Sequence, residues 1–160
     1  MRLSVKLKFW FFDHYWWVLC SLLLLTVTLL LWRSESVTTV ATVAAAMLSL
    51  IYFIQKQKLE ELRLFRELFK EFNERYDALN EKLARIVEAK ESMVSGVERE
   101  MLIDYFNLCG EEYLYVQRGY IYPAVWTAWY NGMKAIVSVP RVQRVWLVEK
   151  ETGSYYGLPL

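Results

Sequence analysis

The sequence is poor in the residues that carry most enzymatic chemistry. It has one histidine, His14, in 160 residues. A Ser-His or Cys-His nucleophile system in the C-terminal part is therefore excluded. Cysteine occurs twice, at Cys20 and Cys109. One falls in an apolar run and the other in a predicted cytosolic helix, so no disulfide is expected, and the compartment is read as reducing. Clustered Cys and His of the kind that hold zinc are absent, and so is a Gly-rich phosphate loop. Glycine and proline are few, six and three, and none interrupts the chain from Val37 to Glu91. No strand pairs and no internal repeat are visible. One acidic grouping remains, Glu111 and Glu112 with Asp104, of which Asp104 and Glu111 share a helix face. With no second cluster to complete a metal site or an acid/base pair, these read as solvated helix acids. No catalytic residue, metal ligand or cofactor is assigned, and the chain is not expected to be an enzyme.

What the sequence does have is apolar mass: 56% hydrophobic residues, concentrated near the N-terminus. A first span is expected over residues 15–32, with no charge along it, and a second over 37–54. Arg2, Lys6 and Lys8 stand beside Trp10, Phe11, Phe12, Tyr15, Trp16 and Trp17. Cations with aromatic rings at the edge of an apolar run mark a membrane interface. A cleaved signal peptide fits poorly, because the run is long and a second span follows almost at once. Arg33-Ser34-Glu35-Ser36 leaves room only for a tight helical hairpin. Basic residues flank both outer ends and only Arg33 sits at the tip, so both termini are expected in the cytoplasm. In the second span Ala41, Ala45 and Ser49 recur at four-residue spacing beside Thr38, Thr42 and Ala46. Small residues let helices approach closely in lipid. The stripe suits either packing on the first span or contact between several subunits, as an oligomerisation seam.

After Ile54 the chain turns polar with no turn signal. Leu62, Phe65, Phe69, Phe72, Tyr76, Leu79, Leu83 and Ile86 follow alternating steps of three and four, a helical seam. One continuous helix of roughly 55 residues, about 80 Å long, is expected from Val37 to about Glu91. Its aromatic seam suits packing against helices of the same domain, or a wide oligomer. The domain reading is thus a transmembrane hairpin over 1–54, a helical rod over 55–95 and a cytosolic helical domain over 96–160. The fold class is an all-α membrane protein with a small C-terminal helical bundle.

In that last domain Gly96 reads as a turn, with Ser95 placed to cap a helix from Val97 to Arg118. Gly110 inside it suggests close approach of a neighbouring helix. Pro123 and Pro140 each open a further helix. Residues 113–160 carry five Lys/Arg against two acids, whereas the preceding rod is acidic. Arg118, Lys134, Arg141 and Arg144, with Trp126 and Tyr130, are the candidate ligand-binding set. Cations hold phosphates and aromatic faces stack bases. The plainer alternative is core aromatics with surface cations.

The stretch FNLCGEEYLYVQRGYIYPAVWTAWYNGM, followed by the Pro and Trp of PRVQRVW, resembles a helical domain of small bacterial proteins that carry one or two N-terminal spans. The likeness covers Met101 to Trp146, and that family offers no active site to carry over. The wider layout resembles small two-span effectors of bacterial antiphage systems, attached to type III CRISPR systems or accompanying retrons. One such group binds cyclic tetra-adenylate and acts on the membrane as a tetramer. The resemblance implies an inner-membrane, homo-oligomeric antiviral defence effector. Its cytosolic domain would sense a ligand, with cyclic oligoadenylate the candidate, and perturb or permeabilise the bilayer. The alternative is a non-enzymatic membrane-anchored adaptor that recruits a protein partner. No duplex nucleic acid is expected.

Overall fold

The computed structural model describes residues 3–91 and 93–160; Arg2, one of the N-terminal cations, lies outside them. The chain is helical: α1 Leu3–Trp32, α2 Val37–Glu88, α3 Gly96–Arg118, α4 Pro123–Val137 and α5 Pro140–Glu149, then a short 3-10 turn at Lys150–Thr152. Among the described residues there is no strand. The chain divides into two compact units, one up to Leu64 and one from Phe65 to Leu160.

In the first unit, α1 and the start of α2 are both long and apolar enough to cross a membrane. Only 11% and 6% of their most apolar 18-residue windows is buried inside the protein. The core helix of a soluble protein would be covered on most sides; these leave large residues such as Trp17 and Leu24 exposed. An uncovered apolar surface of this extent suits contact with a membrane or a protein partner. The aromatic N-terminal segment forms the first turns of α1, which starts at Leu3.

The turn between α1 and α2 is closed by backbone bonds. Ser34 takes the left-handed conformation, φ 58°. Its N–H donates to the Leu31 carbonyl, and the Glu35 N–H donates to the Leu30 carbonyl at 3.1 Å, the paired bonds of a Schellman stop. Ser36 then caps α2, its hydroxyl accepting from the Thr39 N–H at 3.1 Å. With the helices brought back on each other, Tyr15, Leu19 and Ile51 bury together, flanked by Phe11 and Ile54. Lys58 Nζ donates to the Phe12 carbonyl at 2.6 Å and lies over the Tyr15 ring. Lys8 pairs with Glu61 at 2.8 Å. Ala41, Ala45 and Ser49 take no part in this contact. All three are exposed, whereas Val43, Ala44 and Met47 are half-buried. The reading in which the small stripe serves only to pack on the first span is therefore corrected.

The second unit is built on one core. Leu83 and Ile86 of α2, Leu102, Tyr105, Phe106 and Cys109 of α3, Met133 and Val137 of α4, and Val142 and Trp146 of α5 bury together. Tyr155 and Leu158 of the C-terminal segment complete it. That segment is irregular, as expected, but integral. The Trp146 indole N–H donates to the Leu160 carbonyl at 3.0 Å. Gly110 lies under it: a Cβ there would sit 3.3 Å from the Tyr155 Cα. The neighbour that needs the glycine is thus this segment, not a helix.

The aromatic seam of α2 packs within its own unit. Phe65 meets Tyr122 edge-on at 4.5 Å, Phe69 stacks on Trp129 at 5.8 Å, and Phe72, 1% exposed, touches both Tyr115 and Trp129. Helix α3 starts where expected, with a full capping box. The Ser95 hydroxyl accepts from the Glu98 N–H, and the Glu98 carboxylate accepts from the Ser95 N–H at 2.7 Å. Gly96 is its first helical residue rather than a turn. Helix α2 stops at Glu88, three residues early, for a reason that lies on α5. The Arg141 guanidinium donates to the Ile86 carbonyl at 3.3 Å and the Met93 carbonyl at 2.8 Å. It thus satisfies one carbonyl that the end of the helix leaves open and another in the link to α3.

Candidate functional site

The six predicted ligand residues do not form one site. Arg141 is 4% exposed. Besides the two carbonyls, it pairs with the Glu98 carboxylate at 2.9 Å. Its charge faces inward and ties α5 to the α2–α3 turn, so it is removed from the ligand set. The same contacts, led by the bonds from Ser95, hold the Glu98 carboxyl below its ordinary range.

Three of the others do converge. Trp126, Tyr130 and Lys134 occupy successive turns of α4 and so share a face. Trp126 lies 5.4 Å from Tyr130 and 5.5 Å from Tyr113 between ring centres. Lys134 Nζ sits 4.8 Å over the Tyr130 ring. The Tyr130 hydroxyl donates to the Pro159 carbonyl at 2.6 Å. Beside them is a shallow groove of about 300 Å³, lined also by Ser138, Gln143 and Leu160. Arg118, at the end of α3, and Arg144, on α5, are exposed and do not line it. This face has cation and aromatic surface but only one lysine, a thin charge for a polyanion.

A second site was not expected. Between α2, α3 and α4 lies a cavity of about 220 Å³. Asn73 and Tyr76 reach it from α2, Tyr105, Leu108, Cys109 and Glu112 from α3, and Ala128, Trp129, Gly132 and Met133 from α4. Tyr76 and Tyr105 approach each other at 6.4 Å. Asn73 Nδ2 donates to the Phe69 carbonyl, so its side-chain oxygen stays available as an acceptor. Glu112 is 6% exposed, and no hydrogen-bond donor among the described residues holds its carboxylate. Its neighbour Glu111 takes the cation instead: Arg75 forks onto both Glu111 oxygens at 2.6 and 3.2 Å.

Burial without a partner has the expected electrical result. It pushes the Glu112 carboxyl up to about 8, with the Glu111 charge adding and the nearby Arg75 opposing. Burial likewise raises the Tyr105 hydroxyl and the Cys109 thiol, which share a hydrogen bond, and Glu112 pushes both in the same direction. The thiol is therefore inert at neutral pH, a packed group rather than a nucleophile. The signal for this site was in the sequence. Leu108, Cys109, Glu112 and Val116 fall at helical spacing on one face, and an acid in such a row is buried with it. Asp104 by contrast is exposed, and the described residues hold no grouping of three or more metal-ligating side chains.

Comparison with known proteins returns no matching family model, no matching curated protein and no matching solved structure.

Proposed function

We propose that the chain is a membrane-anchored, non-enzymatic effector of antiviral defence: its first unit sits in a bacterial inner membrane, and its second unit receives a ligand. The observation that supports this is the reach of α2. The helix that supplies the second apolar stretch also supplies, through Asn73 and Tyr76, one wall of the half-open cavity. A ligand that binds better to one arrangement of α2 than another shifts the population of the whole helix. The exposed Ala41, Ala45 and Ser49 supply a seam for close contact between second spans of a homo-oligomer, with a tetramer as the candidate. Both termini then lie on the cytoplasmic side, where Lys6, Lys8, Lys56 and Lys58 flank the spans.

For a cyclic oligoadenylate the face to test is Trp126, Tyr130 and Lys134, with Arg118 and Arg144 as outlying cations. A symmetric oligomer repeats each cation around one axis, and base stacking on each ring adds about 1–3 kcal/mol. The test is inner-membrane potential in cells that express the chain while cyclic oligoadenylate is produced. Depolarisation that Lys134→Ala abolishes supports the reading. Unchanged potential with intact, membrane-inserted protein refutes the effector function.

The adaptor reading has one observation in its favour. Leu147 and Val148, adjacent on α5, are 47% and 63% exposed, an apolar spot suited to a protein partner. Recovery of one stoichiometric partner that Leu147→Asp releases, with no effect on potential, would put this reading first.

A further inference from the structure

From the cavity between α2, α3 and α4 we infer that the second unit binds a small organic cation, an ammonium group held by the Glu112 carboxylate and the aromatic faces of Tyr76, Tyr105 and Trp129. This site is on the other side of α4 from Trp126, Tyr130 and Lys134, so it stands whether or not that face takes a nucleotide.

The argument is one of complementarity. The one ionisable carboxyl available to an occupant is that of Glu112, and the Asn73 side-chain oxygen adds an acceptor. No Lys or Arg is among the lining residues, and the closest cation to the carboxylates, Arg75, is committed to Glu111. The remaining lining is apolar or aromatic, and ring faces carry negative potential that attracts cations. An anion would meet a carboxylate with nothing to offset it. A neutral apolar guest would offer the Glu112 carboxyl no partner, whether ionised or protonated, which is costly. A cation satisfies it. The size also fits: a cavity of about 150 Å³ accommodates benzene, so about 220 Å³ suits a guest the size of choline.

Binding couples to protons. The groups that act on Glu112 are Arg75 and Tyr76 on α2 and Tyr105, Cys109 and Glu111 on α3, while α4 presents none that titrates. Near pH 7 the empty site holds a proton on Glu112, and a cation must displace it. Apparent affinity therefore rises with pH, roughly fivefold from pH 7 to pH 8 for a carboxyl that titrates at about 8.

The full chain in nonionic maltoside micelles is titrated by calorimetry at pH 8.5 with choline, and separately with 3,3-dimethylbutan-1-ol, which has the same shape without the charge. Saturable binding of choline at one per chain, little or none of the alcohol, and loss of at least tenfold in affinity in Glu112→Gln are expected. Gly132→Leu provides a second arm, since a Cβ at Gly132 meets nothing within 4 Å. It fills the space while keeping the helix, and should abolish choline binding with no fall in melting temperature. Failure of choline, tetramethylammonium and putrescine alike to bind overturns the inference. So does equal binding of the neutral alcohol, or choline affinity unchanged in folded Glu112→Gln or Gly132→Leu.

Discussion

Arg141 and Glu112 are both charged residues buried in the second unit, and they behave oppositely under substitution. Arg141 has partners: two carbonyls and the Glu98 carboxylate, with only its Nε lacking one. Arg141→Leu strands those acceptors and should cost about 3 kcal/mol, seen as a lowered melting temperature. Lysine should recover little, because one ammonium cannot span the same acceptors. Glu112 has no such partner, and its effect is a pH dependence. Unfolded, it titrates near 4.5; folded, near 8. Between those values the folded chain holds a proton that the unfolded chain has released, so stability from this group falls as pH rises through that window. Glu112→Gln should therefore melt close to wild type at pH 5 and gain on the order of 4 kcal/mol at pH 8.5. At this scale the sequence was only partly readable. Arg141 and Arg144 stand one turn apart on α5 with similar neighbours, and which one turns inward is decided by the carbonyls of α2, far away in the chain. The apolar row around Glu112 was readable, and its acid was read as solvated because no second acidic cluster stands near it in the sequence to complete a site.

Helix starts were legible because their signals are local. Pro123 and Pro140 each open a helix, and Ser95 with Glu98 supplies a complete cap. Ser95→Ala should lower stability by about 1 kcal/mol. The end of α2 was misjudged because its stop is a tertiary contact from Arg141 rather than a glycine. The two glycines inside helices separate cleanly by surroundings. Gly132 faces open space, so Gly132→Ala should raise stability by about 0.5–1 kcal/mol through backbone entropy. Gly110 is pressed against Tyr155, so Gly110→Leu should lower it by about 2 kcal/mol. Thermal melts of the three variants, read by tryptophan fluorescence, check both signs together.

For the molecule, the all-helical character and the two apolar stretches were plain from composition and the absence of breakers. How the C-terminal segment is used was not, because nothing in SYYGLPL has a period. Its role comes from partners far back in the sequence: Tyr155 packs on Phe106 and Trp146, and Leu158 joins the same core. That has a consequence for the order of synthesis. The two apolar helices leave the ribosome while most of the second unit is still untranslated. The core that buries Leu102, Phe106 and Trp146 cannot be closed until Tyr155 and Leu158 have emerged. During that interval a nascent chain presents Phe106 and Trp146 uncovered. A chaperone that covers this surface during translation, or a pause that prolongs the exposure, would change the yield of folded protein without altering a single native contact.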